Sequence, residues 1–204
     1  MPASSATDAN ILWLLGLSAA IFLVVLALAF AAERLFRSPP PKMSPMPLGA
    51  ALAKWLLAAT ACSTAATLAL NFAAEKLSTA LGLDLPKQDL VILLQNGSLA
   101  PFTRAAIIVF ALFEAPLLEE AIFRRYLYRN LLRAKSLVPW GAMVISGAIF
   151  ACVHFNMVTF VPLWFFGSVL AWIYQRTGRL AAPMTVHFLF NAVNLALLFM
   201  FPEA

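Results

Sequence analysis

Long apolar runs separated by short polar segments make up most of this chain. Residues 11–32 form the first run, with 22 consecutive residues that carry no charge. About 20 apolar residues are enough for a helix to cross a bilayer. Comparable runs predict further spanning helices near residues 51–73, 104–123, 138–157, 160–175 and 183–201. The pattern therefore predicts an all-α, polytopic membrane helix bundle with about six transmembrane helices.

The segments between these runs predict three further features. Residues 38–47 are rich in proline, which cannot continue a helix, so this stretch is predicted to be a linker. Residues 74–103 form a longer connection, within which residues 89–94 are predicted to form a short interfacial or re-entrant turn. Residues 104–133 contain one proline and no glycine, so the third helix is expected to be long and to continue past the membrane.

Composition supports membrane insertion and excludes several other classes of protein. Hydrophobic residues make up 63% of the chain and charged residues only 11%, against about 25% charged in soluble domains. The first run has no basic flank and no clear cleavage site, so we expect a retained helix rather than a signal peptide. Both cysteines lie in apolar segments, which argues against a disulfide framework. The net charge of +5 does not require nucleic acid as a partner, because membrane topology accounts for the basic residues.

The basic residues predict the orientation in the membrane. Positive charges accumulate in cytoplasmic segments. Eleven of the 14 lysines and arginines follow the first, third and fifth runs, and only three lie on the opposite side. This bias predicts six spans with both termini outside the cytoplasm, in a multi-pass protein of the bacterial inner membrane.

Charged side chains inside a bilayer are costly, and here they are concentrated in one run. Glu114, Glu119, Glu120 and Arg124 lie in the third predicted helix. Glu120 and Arg124 are four residues apart and are therefore expected to pair on one face. Glu119 would point about 100° away around the helix, where it is free to activate a water molecule.

The only two histidines of the chain also lie in apolar segments. Phe150 and His154 are separated by four residues, and so are His187 and Asn191. The second pair can present two hydrogen-bond donors to one oxygen atom. A carboxylate base, a polar ring and two convergent donors are the groups that amide hydrolysis requires.

Three short motifs carry a resemblance to a known family. Glu119-Glu120-Ala-Ile-Phe-Arg124 resembles the EExxxR motif of the CAAX-protease and bacteriocin-processing (CPBP) family, which includes type II CAAX prenyl endopeptidases. Phe150-Ala-Cys-Val-His154 resembles its FxxxH motif, and His187-Phe-Leu-Phe-Asn191 its HxxxN motif. The resemblance covers residues 104–198. It implies one membrane domain over residues 1–204, with a catalytic core at 104–198 and two additional transmembrane helices at 1–73.

The resemblance also implies roles for these residues in an intramembrane endopeptidase. Glu119 would activate water, supported by Glu120 and His154, while His187 and Asn191 would hold the oxyanion. Arg124 would fix Glu120, and Phe150 would support the site. The substrate would be a membrane-associated peptide or protein, with the lipid bilayer as surroundings.

The sequence leaves the metal requirement open. Two histidines and a glutamate can bind zinc and leave a position for water. We expect a metal-independent glutamate mechanism, because the HxxxN pair serves equally as an oxyanion hole. Zinc or another divalent metal remains the alternative, and its ligands would then be Glu119, His154 and His187.

Two alternatives to an enzyme are a non-catalytic membrane scaffold that binds another membrane protein and a proton-coupled transporter, which also uses intramembrane Glu and His. A structural ion pair is the competing interpretation of Glu120 and Arg124.

One geometric question follows from the predicted spans. His154 lies 17 residues after Leu137, about 25 Å along a helix, yet catalysis requires it beside Glu119. Either the helix that begins near residue 138 starts outside the bilayer, or the next one is short and tilted.

Overall fold

The computed structural model describes residues 2–35, 49–82, 89–95, 99–133 and 137–201. Within these ranges all regular structure is helical, which confirms the all-α prediction. The helices are Pro2–Leu35 (α1), Ala50–Ala80 (α2), Asp89–Gln95 (α3), residues 101–133 (α4), Pro139–Cys152 (α5), Phe160–Thr177 (α6) and Ala181–Met200 (α7). The predicted proline-rich linker lies outside the described residues.

Two helices of the described residues are long and apolar enough to cross a membrane, namely α2 and α7. Asp8–Ala20 within α1 and the whole of α5 are shorter apolar helices. The six-span count therefore stays a prediction. The predicted turn at residues 89–94 was wrong, because this segment forms the seven-residue helix α3.

The long third helix is confirmed as α4, but it is not a uniform α-helix. Its segments are Pro101–Val109, Phe110–Glu114, Ala115–Glu120, Ala121–Tyr128 and Arg129–Arg133, of which the second and fourth are π-helical. A π-turn holds more residues than an α-turn and shifts the angular position of everything after it. Such segments often occur at functional sites.

The predicted helix at residues 138–157 is shorter than expected, because α5 ends at Cys152. Phe155 has a φ of 49°, which interrupts helical geometry. The Asn156 side-chain oxygen accepts hydrogen bonds from the backbone N–H groups of Val158 and Thr159, which leads the chain into α6. His154 therefore lies in the turn between the two helices rather than on a helix face.

α5 and α6 form a closely packed hairpin because two glycines meet at their crossing. A Cβ on Gly147 would lie 2.7 Å from the backbone nitrogen of Ser168, and a Cβ on Gly167 would lie 3.0 Å from the Cα of Gly147. The Trp164 indole also donates a 2.9 Å hydrogen bond to the Val144 carbonyl across the hairpin. These contacts hold α5 and α6 close together.

The core lies where α4, the hairpin and α7 converge. Its largest cluster of buried residues is Phe123, Phe150, Phe166, Leu170, Ile173, Ala182, Val186 and Phe190. α2 covers this cluster from outside, with the Trp55 and Trp172 rings 5.1 Å apart. α1 reaches the start of α4, where the Asp8 carboxylate accepts hydrogen bonds of 3.2 and 3.3 Å from the Ala100 N–H.

Candidate active site

The site is built around a fully buried ion pair on α4. Arg124 Nε donates a 2.8 Å hydrogen bond to Glu120 Oε2, and Arg124 Nη2 lies 3.4 Å from Glu120 Oε1. Both side chains are completely shielded from solvent. Arg124 Nη1 donates to Ser146 Oγ of α5 at 3.2 Å, which ties the pair to the hairpin. The pairing expected from the four-residue spacing is present.

His187 of α7 lies between the two glutamates. Its Nδ1 is 3.0 Å from Glu120 Oε1, within hydrogen-bonding distance, and its Nε2 is 3.8 Å from Glu119 Oε2. Because Arg124 also holds Glu120, the Nδ1–H of His187 donates to an anchored acceptor, and this fixes the orientation of the ring. The rings of Phe166 and Phe150 meet the imidazole edge-to-face at 5.3 and 5.9 Å.

Glu119 differs from its neighbour in its surroundings. Its Oε2 accepts no hydrogen bond from the described residues, whereas Glu120 is bonded to both Arg124 and His187. The Glu119 side chain is 16% exposed and that of Glu120 is not exposed at all. The two acids are thus separated into an anchored carboxylate and an available one.

His154 reaches the site from the turn that follows α5. Its Nδ1 lies 2.7 Å from the Phe150 carbonyl oxygen. Because that oxygen can only accept, Nδ1 carries the proton and Nε2 is left as the acceptor of the neutral ring. His154 lies within electrostatic range of Glu119.

The position of His154 relative to Glu119 depends on where α5 begins beside α4. Ala142, near the start of α5, packs in one cluster with Tyr128, and Leu131 and Leu132 lie against that cluster. α5 therefore begins level with the basic end of α4. Ser146 then reaches Arg124, and His154 follows two turns later on the side of Glu119. Whether α5 begins outside the bilayer stays a prediction.

Phe150 and Asn191 have different relations to this cluster. The Arg124 guanidinium lies 5.2 Å from the centre of the Phe150 ring, which also contacts His154 at 4.8 Å. Asn191 Nδ2 instead donates a 2.8 Å hydrogen bond to the Ala111 carbonyl in the first π-helical segment of α4. Of the predicted site residues, the structure brings together Glu119, Glu120, Arg124, Phe150, His154 and His187, while Asn191 lies one helical turn further along α7.

An apolar groove of about 260 Å³ opens between α4 and α7 beside these residues. Pro116 and Leu117 lie one turn before the glutamates, and Met184 and Phe188 flank His187 in the sequence. The groove is lined by Leu112, Phe113, Pro116, Leu117, Met184, Thr185 and Phe188. It offers apolar surface between the two helices that carry Glu119 and His187.

The same side chains do not form a metal site. Among the residues that the structure describes, no group of three His, Cys, Asp or Glu side chains converges to hold a metal ion. The conditional ligand set Glu119, His154 and His187 is therefore not assembled in this arrangement. The expectation of metal-independent chemistry stays a prediction.

Residues 101–193 match the family model described as type II CAAX prenyl endopeptidase Rce1-like. This segment is similar to that family. The chain is also 33% identical over 102 residues to the membrane-embedded CAAX protease MroQ of Staphylococcus aureus (strain USA300), an alignment that covers 48% of this chain and 41% of MroQ. No solved structure matches the chain.

All the predicted site residues lie inside the Rce1-like segment, but reasoning from sequence missed three contributors. Ser146 accepts from Arg124, Phe166 packs on His187, and the Ala111 carbonyl binds Asn191. Ser146 carries a weak signal, because it is a polar residue one turn before Phe150 in an apolar helix. Phe166 and a backbone carbonyl carry none.

Proposed function

We propose that this protein is an intramembrane endopeptidase that hydrolyses a peptide bond in a membrane-associated protein or peptide. The observation that carries the proposal is the placement of His187 between two acids of which only Glu120 is neutralised by a cation. The match of residues 101–193 to the Rce1-like family model supports it. The chain spans 41% of the length of MroQ, so the likeness supports the class of reaction and leaves the substrate open.

Glu119 is the general base of the proposed reaction. The separation of 3.8 Å between its Oε2 and His187 Nε2 is longer than a hydrogen bond, so one water oxygen between or beside them can reach both atoms. Glu119 accepts a proton from this water, and the hydroxyl adds to the peptide carbonyl carbon. The same proton then passes to the leaving nitrogen as the C–N bond breaks, with His154 Nε2 close by to assist the transfer.

The negative charge on the former carbonyl oxygen needs donors. His187 Nε2 is the first proposed donor, and the ring is oriented by the hydrogen bond from its Nδ1 to Glu120. Asn191 uses one amide hydrogen on the Ala111 carbonyl, and its second hydrogen is the other proposed donor. Arg124 offsets the charge of Glu120, which favours burial of this pair.

The substrate is proposed to lie along the apolar groove between α4 and α7, because its lining offers only apolar side chains and the hydroxyl of Thr185. The protein is proposed to be a multi-pass protein of the bacterial inner membrane with both termini outside the cytoplasm, as the bias of basic residues indicates. No nucleic acid is expected as a partner.

The test is a cleavage assay with purified protein in proteoliposomes. Membrane-tethered fluorogenic peptides, with and without a prenylated C-terminal cysteine, serve as substrates. Glu119→Gln is expected to lower kcat by about 10²–10⁴-fold, the usual effect of losing a base. Glu114→Gln is the matched control, because it makes the same change on α4 away from the cluster. Full activity in Glu119→Gln rules out this base, and a folded wild type that cleaves no peptide favours the scaffold alternative.

Metal dependence is tested in the same assay. A strong chelator of divalent cations is expected to leave the rate unchanged, since no three-residue ligand set converges among the described side chains. Loss of activity that zinc alone restores would contradict the metal-independent mechanism and assign Glu119, His154 and His187 as ligands.

A further inference from the structure

The tip of the α5–α6 hairpin is unusually apolar for a connection between helices. Phe155 is 93% exposed and Met157 is 85% exposed, although large apolar residues seldom protrude from a water-facing turn. Val153 and Val161 on either side are also exposed. Residues 137–175, which include α5 and all of α6 except its last two residues, contain no Asp, Glu, Lys or Arg. The tip therefore has the surface chemistry of a lipid contact.

Both arms of the hairpin are shorter than the hydrocarbon core is thick. α5 has 14 residues and α6 has 18, which gives about 21 and about 27 Å of helix against a core of about 30 Å. α5 starts level with the basic end of α4, where Leu131 and Leu132 pack against its cluster. α6 returns to the same side and ends at Thr177, beside Arg176 and Arg179. A hairpin that starts at the basic surface with an arm of about 21 Å therefore ends short of the opposite surface.

The backbone of the tip is equipped for an environment without water. Irregular backbone is tolerated at membrane depth only where its polar groups have partners in the protein. The N–H groups of Val153, His154 and Phe155 donate to carbonyls of α5 at 3.1–3.2 Å. Those of Val158 and Thr159 donate to the side-chain oxygen of Asn156 at 3.0 and 3.1 Å. The Asn156 side chain thus supplies the hydrogen-bond acceptor that water would supply in a solvent-exposed loop.

We infer that residues 153–159 are the tip of a re-entrant hairpin that lies within the bilayer, with Phe155 and Met157 inserted among lipid acyl chains. The hairpin enters and leaves on the basic side and does not cross. The predicted orientation is unchanged, because removing two crossings leaves both termini on the same side as before. His154, which precedes Phe155, is thereby held at membrane depth and sealed from the far aqueous phase by the tip.

The inference concerns the placement of the hairpin and does not depend on hydrolytic activity. Its test uses the full-length protein with Cys62 and Cys152 replaced by serine and single cysteines introduced as Phe155→Cys or Met157→Cys. Trp140→Cys is the matched control, because Trp140 is 69% exposed at the start of α5 on the basic side. A membrane-impermeant maleimide is applied from each side of sealed vesicles in turn, and again after detergent solubilisation.

The expected result is labelling of Trp140→Cys from the basic side only, with Phe155→Cys and Met157→Cys protected from both sides and labelled in detergent. A fluorophore attached to either tip cysteine before reconstitution should be quenched by lipids that carry nitroxides on their acyl chains and not by aqueous iodide. Labelling of either tip cysteine from the far side in sealed vesicles would show a crossing hairpin and overturn the inference. Labelling from the basic side would overturn it as well, because it would place the tip in a water-filled cavity.

Discussion

At the scale of single residues, the site depends on a difference between two adjacent acids. Glu120 is held by Arg124 and His187, whereas Glu119 Oε2 accepts no hydrogen bond from the part of the chain that the structure describes. The four-residue spacing of Glu120 and Arg124 was enough to predict their pairing, since it follows from helix geometry alone. The position of His187 between the acids was not predictable from spacing, because it lies 67 residues beyond Glu120 and is set by how α7 packs on α4.

The buried ion pair gives the first prediction at this scale. Arg124→Met should lower the free energy of unfolding by about 3–5 kcal/mol, because it leaves the Glu120 carboxylate buried without its cation. Adding Glu120→Gln should recover part of this loss, so that the two effects are clearly non-additive. Thermal unfolding in detergent micelles measures both. Arg125→Met is the control, since Arg125 is exposed and the change should stay within about 0.5 kcal/mol. Simple additivity would contradict the pairing.

Asn191 gives the second prediction, because its bond to α4 and its proposed role in catalysis can be separated. Asn191→Leu should cost about 1 kcal/mol of stability through the lost bond to Ala111, and should also lower kcat by about 10²-fold. Asn194→Leu is the control, since the Asn194 side chain donates to the Phe190 carbonyl of its own helix. An Asn191→Leu protein with reduced stability and normal kcat would assign this residue to helix packing alone.

At the scale of helices, hydrophobic runs predicted where helices occur better than where they end. Residues 153–161 contain no charged residue, proline or glycine, so the pattern does not mark the end of α5 at Cys152. The break comes from Phe155 at positive φ and from the Asn156 side chain, which acts as a local acceptor. The π-helical segments of α4 are equally invisible to periodicity, because both begin and end within helical sequence.

The close crossing of α5 and α6 gives a prediction at this scale. Gly147→Ala should destabilise the protein by about 1–3 kcal/mol, because the new methyl group meets backbone atoms of α6 at 2.7 Å and the helices must separate. Activity should fall as well, since Phe150 and His154 move with α5. Gly141→Ala is the matched control, because its nearest neighbour would be a side-chain carbon at 3.7 Å. Equal stability of the two variants in a detergent unfolding experiment would argue against the close crossing.

At the scale of the whole molecule, the Rce1-like segment packs against a helix that lies outside it. Residues 101–193 supply every predicted site residue, and this much followed from three short motifs. The contribution of the first two helices did not, because neither carries a motif. Yet Trp55, Leu56 and Ala59 of α2 pack against the cluster that contains Phe150 and Phe166. Packing of this kind drives helix association in membranes, where the hydrophobic effect between helices is weak.

The last prediction follows from the packing of α2 against the core cluster. A chain that begins after residue 82 should fail to give a monodisperse protein in detergent, because one side of the core loses its packing against α2. Co-expression of residues 1–82 as a separate fragment should restore folding and association, since the missing contacts are not covalent. Within the full chain, Trp55→Ala should cost at least about 0.5–1.5 kcal/mol through loss of the aromatic contact with Trp172. Trp13→Ala is the control, because Trp13 is exposed on α1. A truncated chain that purifies as a stable monomer and cleaves peptides at the full rate would contradict this dependence and leave α1 and α2 as accessories to an independent core.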